Sequence, residues 1–218
     1  MFLKLLEVFC ILTIAMDNLK LPGRREAEEL LAWGHEQNPA PWAEHSKTVA
    51  RAAQTIASKC GVDEDTAYIL GLLHDIGRYK GTMGLRHIYT GYNLMIEKGY
   101  DHQARICLSH SFPVKDYAAI YGNDCTKEEF EEIKIKIDAY EYDDYDRLIQ
   151  LCDSICMAEG VCLLEVRLVD IARRYNEFNQ AILNKWKVLF ELKKYFDNKC
   201  GINIYSLFSE EIIKNSIK

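Results

Sequence analysis

The sequence predicts an all-α protein built as one helical bundle. Three observations carry this. Apolar residues recur at helical spacing through most of the chain, as in the i, i+4, i+7, i+11 row of His45, Val49, Ala52 and Ile56. The periodic segments end at Gly61, Gly99, Pro113 and Gly201, residues that stop helices. No period-two strand, internal repeat or low-complexity linker breaks the pattern. A length of 218 residues with 49% apolar content suits one large domain with a real core.

Pro22-Gly23-Arg24 reads as a turn, and Arg25 to Trp33 as a short amphipathic helix stopped by Gly34. Asn38-Pro39-Ala40-Pro41 is a loop with Pro41 placed for a first helical position, and Trp42 to Lys59 is the next helix. It carries His45 near its start, on the buried stripe. Asp63 caps a helix that is apolar nearly all round and ends in His74-Asp75. Lys80 to Gly84 is a flexible connection; a helix from about Leu85 to Lys98 holds His87 in its first turn, and a short one from Asp101 leads to His110. Thr126-Lys127-Glu128-Glu129 is a capping box for a charged, exposed helix to about Asp138. The Tyr140–Tyr145 stretch reads as a solvated connection. A helix opening at Asp143 or Asp144 runs to Gly160 with Leu148, Ile149, Cys152, Ile155 and Cys156 inward and Asp153 beside that stripe. Helices over about Cys162–Tyr175 and Phe178–Lys199 follow, the last with Ile182, Trp186, Leu189, Phe190 and Phe196 inward.

Composition narrows the function. A net charge of −6 without a Lys/Arg block argues against a nucleic acid polymer as partner, though not against a small basic pocket. The eight cysteines are irregularly spaced without a CxxC, which reads as reduced thiols of a cytoplasmic protein rather than a disulfide scaffold. Met1 to Ala15 is mostly apolar but too short to span a membrane and lacks a clean cleavage site. It reads as a leader or short extra helix within residues 1–20, or as an upstream start that leaves Met16 as the physiological one. A single domain then covers 21–218, with its core at 42–160 and extra C-terminal helices over 161–218.

The chemistry concentrates at Leu70-Gly71-Leu72-Leu73-His74-Asp75-Ile76-Gly77-Arg78. A buried apolar run ending in an imidazole and a carboxylate is costly unless both are satisfied, and a metal ion satisfies both at once. His45, His87, His110 and Asp153 lie where helices turn them inward or at helix ends. Neutral imidazoles and carboxylates suit Fe, Mn, Zn or Co without distinguishing them. Asp75 is the natural bridge between two such ions, and two divalent cations on four histidines and two aspartates leave a positive charge that attracts an anionic substrate.

The order His45, His74-Asp75, Asp153 resembles the H…HD…D signature of the HD-domain metal-dependent phosphohydrolase superfamily, and His74-Asp75-Ile76-Gly77 resembles its HDIG variant. The resemblance spans about Trp42 to Gly160. It implies an HD-domain-like helical bundle. It implies two divalent transition metals, one on His45, His74, Asp75 and Asp153 and the other on Asp75, His87 and His110. It also implies hydrolysis of a small phosphorylated substrate, a nucleotide-like monoester or diester, by a hydroxide held between the metals. The chain departs from the cyclic-dinucleotide phosphodiesterase branch: it lacks the downstream GYP element, since Gly91-Tyr92 is followed by Asn93. Two other readings stay open: a mixed-valent di-iron oxygenase of the same superfamily, and a nucleotide-binding sensor without turnover. A homodimer is compatible with all three.

Asp75 and Arg78 are the candidate catalytic residues, and Arg78, Arg86 and Lys115 the candidate substrate contacts. A guanidinium can grip phosphate bidentately. The plainer account of Arg78 and Arg86 is an ion pair, and of Lys115 a solvated lysine. Glu159, Glu165 and Arg167 follow the last aspartate and could line a substrate cavity, with structural ion pairs as the plainer account. His87 and His110 could be satisfied core histidines. His35 and His102 have no patterned partner and read as exposed.

Overall fold

The computed structural model describes residues 20–216; the leader expected over residues 1–20 falls almost wholly outside that range. The described residues form ten α-helices and one minimal hairpin, so the all-α expectation holds. In chain order these are α1 (Arg24–Gln37), α2 (Trp42–Cys60), α3 (Glu64–Leu73), a 3-10 turn (Ile76–Lys80), α4 (Arg86–Glu97), α5 (Asp101–Ser109), α6 (Lys127–Ala139) and α7 (Asp144–Ile155). The hairpin strands β1 (Cys156–Met157) and β2 (Gly160–Val161) come next, then α8 (Leu164–Tyr175), α9 (Gln180–Cys200), a second 3-10 turn (Ile204–Phe208) and α10 (Ser209–Ser216). No described helix is long and apolar enough to cross a membrane. Every cysteine among the described residues is a free thiol.

The helix starts follow their caps. The Asp63 carboxylate accepts from Thr66 N, and Thr126 with Glu129 closes a full capping box. Asp143 and Asp146 make a second box at the start of α7. The ends deviate in two places. Helix α1 does not stop at Gly34 but continues to Gln37. Gly34 is a contact residue, its face lying against Ile76 and Trp42 where a methyl group would clash. Helix α7 stops at Ile155 rather than Gly160, and the chain turns through the hairpin Cys156↔Val161, Met157↔Gly160. Gly160 has φ 138°, a conformation that side chains oppose. Val161 N–H donates to Glu211 Oε2 at 3.0 Å and its carbonyl accepts from Asn215 Nδ2 at 3.0 Å, so α10 closes the hairpin's outer edge.

The largest apolar cluster joins Val49, Ile56 and Leu70 to the α7 stripe Leu148, Ile149, Cys152, Ile155 and Cys156, and then to Leu189, Phe196, Ile204 and Phe208. A second cluster packs α1 on α2, α3 and the 3-10 turn through Leu31, Trp42, Leu73 and Ile76. A third seats α6 on α4 and α5 through Ile133, Ile137, Ile88 and Leu108, so α6 is amphipathic rather than exposed all round. Within α9, Ile182, Leu189 and Phe196 face inward, but Phe190 is 38% exposed.

The Tyr140–Tyr145 connection is half-buried, not solvated. Beside it lies the buried Asp146, whose carboxylate takes Arg105 and the Ser109 hydroxyl. His102 is also buried, its ring edge-on to Tyr145 at 5.5 Å, because the first turn of α5 faces α7. His35 is half-buried, with Nδ1 enclosed. Neither histidine is exposed, contrary to the sequence expectation.

Candidate metal centre

Five segments meet where the sequence places its histidines and acids. Helix α2 supplies His45 from its first turn. His74 caps the C-terminus of α3, and Asp75 starts the 3-10 turn. Helix α4 supplies His87 from its first turn, His110 caps the end of α5, and Asp153 comes from the last turn of α7. The chain brings all six together. His45 Nε2 and His74 Nε2 lie 2.9 and 3.7 Å from Asp153 Oδ1. His87 Nε2 and His110 Nε2 lie 2.9 and 3.7 Å from Asp75 Oδ1 and 3.4 Å from each other. His74 Nε2 sits between the two halves, 3.9 Å from Asp75 Oδ2.

Backbone carbonyls set the imidazoles. His74 Nδ1 donates to Gly71 O at 2.7 Å, His110 Nδ1 to Ile106 O at 3.1 Å, and His87 Nδ1 to Gly84 O. Each of these rings therefore carries its proton on Nδ1 when neutral and turns a bare Nε2 lone pair to the centre. Gln150, one turn before Asp153, steadies the His110 backbone by donating to Ser109 O at 3.0 Å and Phe112 O at 3.4 Å. Arg78 fixes Asp75: its Nε donates to Asp75 Oδ2 at 2.6 Å and its Nη1 to Met83 O at 3.0 Å, while Nη2 is 3.5 Å from His87 Nε2.

This donor set fits a cation. The Nε2 of His74 and Oδ1 of Asp75 are fully buried with no hydrogen-bond donor among the described residues. The Nε2 atoms of His87 and His110 point acceptor to acceptor. Bringing lone pairs and carboxylates this close without a proton or cation between them is repulsive, and buried orphans of this kind cost free energy. Two groups, His45-His74-Asp153 and His74-Asp75-His110, have the spacing to hold an ion.

The electrostatics agree. Burial acts to raise Asp75, but the charges of Arg78, His87 and His74 outweigh it and hold the carboxyl well below the usual range. Burial opposes Asp153 likewise, and its bonds to His45 and His74 keep it an anion. Burial pushes His45 down, and burial with the neighbouring His74 charge pushes His110 down to about 3. Two carboxylate anions thus face His45 and His110, imidazoles that burial holds neutral, the state in which imidazole ligates.

A cavity of about 610 Å³ opens over this cluster, lined on one side by His45, Asp75, Arg78, His87, His110 and Asp153. Two sequence-predicted substrate contacts are absent from its walls. Arg86, turned about 100° round α4 from His87, pairs with Glu129 at 2.7 Å. Lys115 points to the carbonyls closing α6, donating to Asp138 O at 3.2 Å and Tyr140 O at 2.5 Å. Both cations are used elsewhere. Arg167 and Glu159 do line the cavity, whereas Glu165 does not; Lys185 lines it too, and no motif in the sequence marked that lysine.

Compared with known families, residues 42–158 match the family model described as HD domain, more than half of the chain. No curated protein and no solved structure was found to match.

Proposed function

Because this chain belongs to the HD-domain superfamily of metal-dependent phosphohydrolases, we propose that it hydrolyses a small phosphate ester, a nucleotide-like monoester or diester. The observation that carries the reading is the convergence of imidazole nitrogens and carboxylates on one buried point, where His74 Nε2 and Asp75 Oδ1 have no hydrogen-bond partner among the described residues. In this reading His45, His74, Asp75 and Asp153 hold one divalent transition metal, and Asp75, His87 and His110 hold a second. Divalent metals supply a lowered pKa for water and neutralise the charge that develops on phosphoryl oxygens.

The chain's own residues prepare that chemistry. In this reading Asp75 would serve both metals, and because Arg78 holds its Oδ2, a shift of Arg78 would disturb both. The Nδ1 bonds to Gly71, Gly84 and Ile106 fix the tautomers of three rings before any ligand arrives. The cavity volume of about 610 Å³ falls in the range of small-ligand sites and favours a small ester over a polymer.

The test is elemental analysis of protein purified without chelators, beside His110→Ala, with p-nitrophenyl phosphate and its diester as substrates. Two transition metals per chain, falling toward one in the variant with hydrolysis reduced on the order of 100-fold or more, is the expected result, since even residues behind the ligands cost up to that much. Metal-loaded protein that cleaves neither ester would overturn the hydrolase reading. Iron with turnover that consumes dioxygen would replace it with the oxygenase.

A further inference from the structure

The cavity has a second wall that the family match does not reach. Helices α8 and α9 follow residue 158 and bring Arg167, Arg174 and Lys185 to the cavity. Arg174 is spent and half exposed: its Nε donates to Asp170 at 3.1 Å. Arg167 is different. Its side chain is only 15% exposed, and its one ion-pair contact among the described residues is Asp170 at 3.4 Å. Its Nε is enclosed with no acceptor. A guanidinium carries five donors, and one long contact leaves most of them unused.

Lys185 shows the same imbalance. Its Nζ donates to Ser111 O at 2.9 Å, and no carboxylate among the described residues pairs with it. An ammonium has three donors, so it too keeps unused ones inside the cavity. Burial pushes this ammonium down to about 8, with the charge of Asp153 acting the other way. Lys185 and Arg167 line the same cavity as His45 and Asp153, and the charge of Asp153 acts on Lys185 as that of Arg167 acts on His45. Two cations with donors left over thus line one cavity, and for the sealed Arg167 Nε the missing acceptor is costly. An anion in the cavity would accept from both.

We propose that Arg167 and Lys185 form a clamp that binds a phosphoryl group of the substrate, from the wall of the cavity that α8 and α9 build beside His45 and Asp153. The identity of the anion as phosphate rests on the hydrolase reading; the clamp itself rests on the two side chains. It moves substrate recognition away from Arg86 and Lys115 and onto helices outside the family core.

The experiment uses the full, metal-loaded chain, with inorganic phosphate as the probe in calorimetric titration. Arg167→Met and Lys185→Met remove each charge and keep the stem; Lys185→Arg returns a cation. The expected result is a phosphate Kd raised about tenfold or more in each Met variant, as for loss of a charge-assisted bond, with metal content and melting temperature kept and Lys185→Arg near the parent. Parental affinity in both Met variants overturns the clamp, as does a loss of affinity that tracks a loss of bound metal. A parent that binds no phosphate overturns it as well. The two readings separate on p-nitrophenyl phosphate. If the parent hydrolyses it and both Met variants keep its KM, the clamp falls and the hydrolase stands. If phosphate binding depends on the clamp but no ester is cleaved, the clamp stands and the hydrolase falls.

Discussion

Asp75 is the side chain on which the centre turns. One of its oxygens is held by Arg78, and the other faces two imidazole nitrogens that bring no proton to it. In the metal-free protein the surrounding histidines therefore decide how stability follows pH. An unfolded imidazole takes a proton near pH 6.5. His110 stays neutral down to about 3 because it is buried and beside the His74 charge, and His45 is lowered by burial in the same direction. For both, the unfolded state binds the proton first. The stability they contribute is complete above about pH 6.5 and is lost below it, at up to about 1.4 kcal/mol per group per pH unit. His74 runs the other way: burial lowers it, but the charges of Asp75 and Asp153 raise it overall, so it gains a proton in the folded state first. Two groups against one predict that the urea midpoint of the chelator-treated protein falls between pH 7 and pH 5. A midpoint that rises would mean that the single proton on His74 outweighs the other two. At this scale the sequence was most legible where a residue's role follows from its own helix, as His45 on the buried stripe and His74 at the end of an apolar run. Arg86 and Lys115 were not legible, because their partners, Glu129 and the carbonyls of Asp138 and Tyr140, come from a helix that sequence proximity does not reveal.

At the scale of elements, the 3-10 turn after His74-Asp75 matters because of how closely it lies on α4. A Cβ on Gly77 would sit 2.0 Å from the carbonyl oxygen of His87 and 2.5 Å from the nitrogen of Gly91. Both are backbone atoms of a helix and cannot swing aside. The glycine of the HDIG run is thus a spacing residue: it lets the turn carrying Asp75 touch the helix carrying His87. Gly77→Ala is expected to push these elements apart, with a stability loss of about 1–3 kcal/mol or more for overpacking against rigid backbone. Because the two elements carry Asp75 and His87, candidate ligands 2.9 Å apart, the proposed centre predicts that bound metal falls as well, which a distant packing defect would not cause. Urea unfolding with metal analysis of the same preparation checks both, and a variant with parental stability and metal content would show that the turn has room. Helix interiors and caps were readable from the chain, since Thr126 and Asp63 act on backbone within three residues. The exceptions needed distant partners. Gly34 could not be read as a contact residue without Ile76 and Trp42 against it, and a hairpin of two residues per strand is too short to show a period.

At the scale of the molecule, the family match and the main apolar core do not coincide. The match ends at residue 158, yet the main core runs on through Leu189, Phe196, Ile204 and Phe208. These pack with Val49, Ile56, Ile149 and Ile155, the inner faces of α2 and α7, which hold His45 and Asp153 at their ends. The C-terminal helices therefore support the helices of His45 and Asp153 from behind while lining the cavity with Arg167 and Lys185. Phe196 measures this coupling, being fully buried and far from every ligand in sequence. Phe196→Ala should cost about 3–5 kcal/mol, the range for a large aromatic removed from a core. Ile135→Ala, at a residue 70% exposed on α6, should stay within about 0.5 kcal/mol. Chemical denaturation gives both values. If Phe196→Ala proved as mild as Ile135→Ala, α9 would be an appendage on a self-sufficient core. A cost in the expected range, with one cooperative transition, would make the C-terminal helices part of the same folding unit as the helices that carry His45 and Asp153. The placement of the two cavity cations would then be fixed by the same packing that fixes His45 and Asp153.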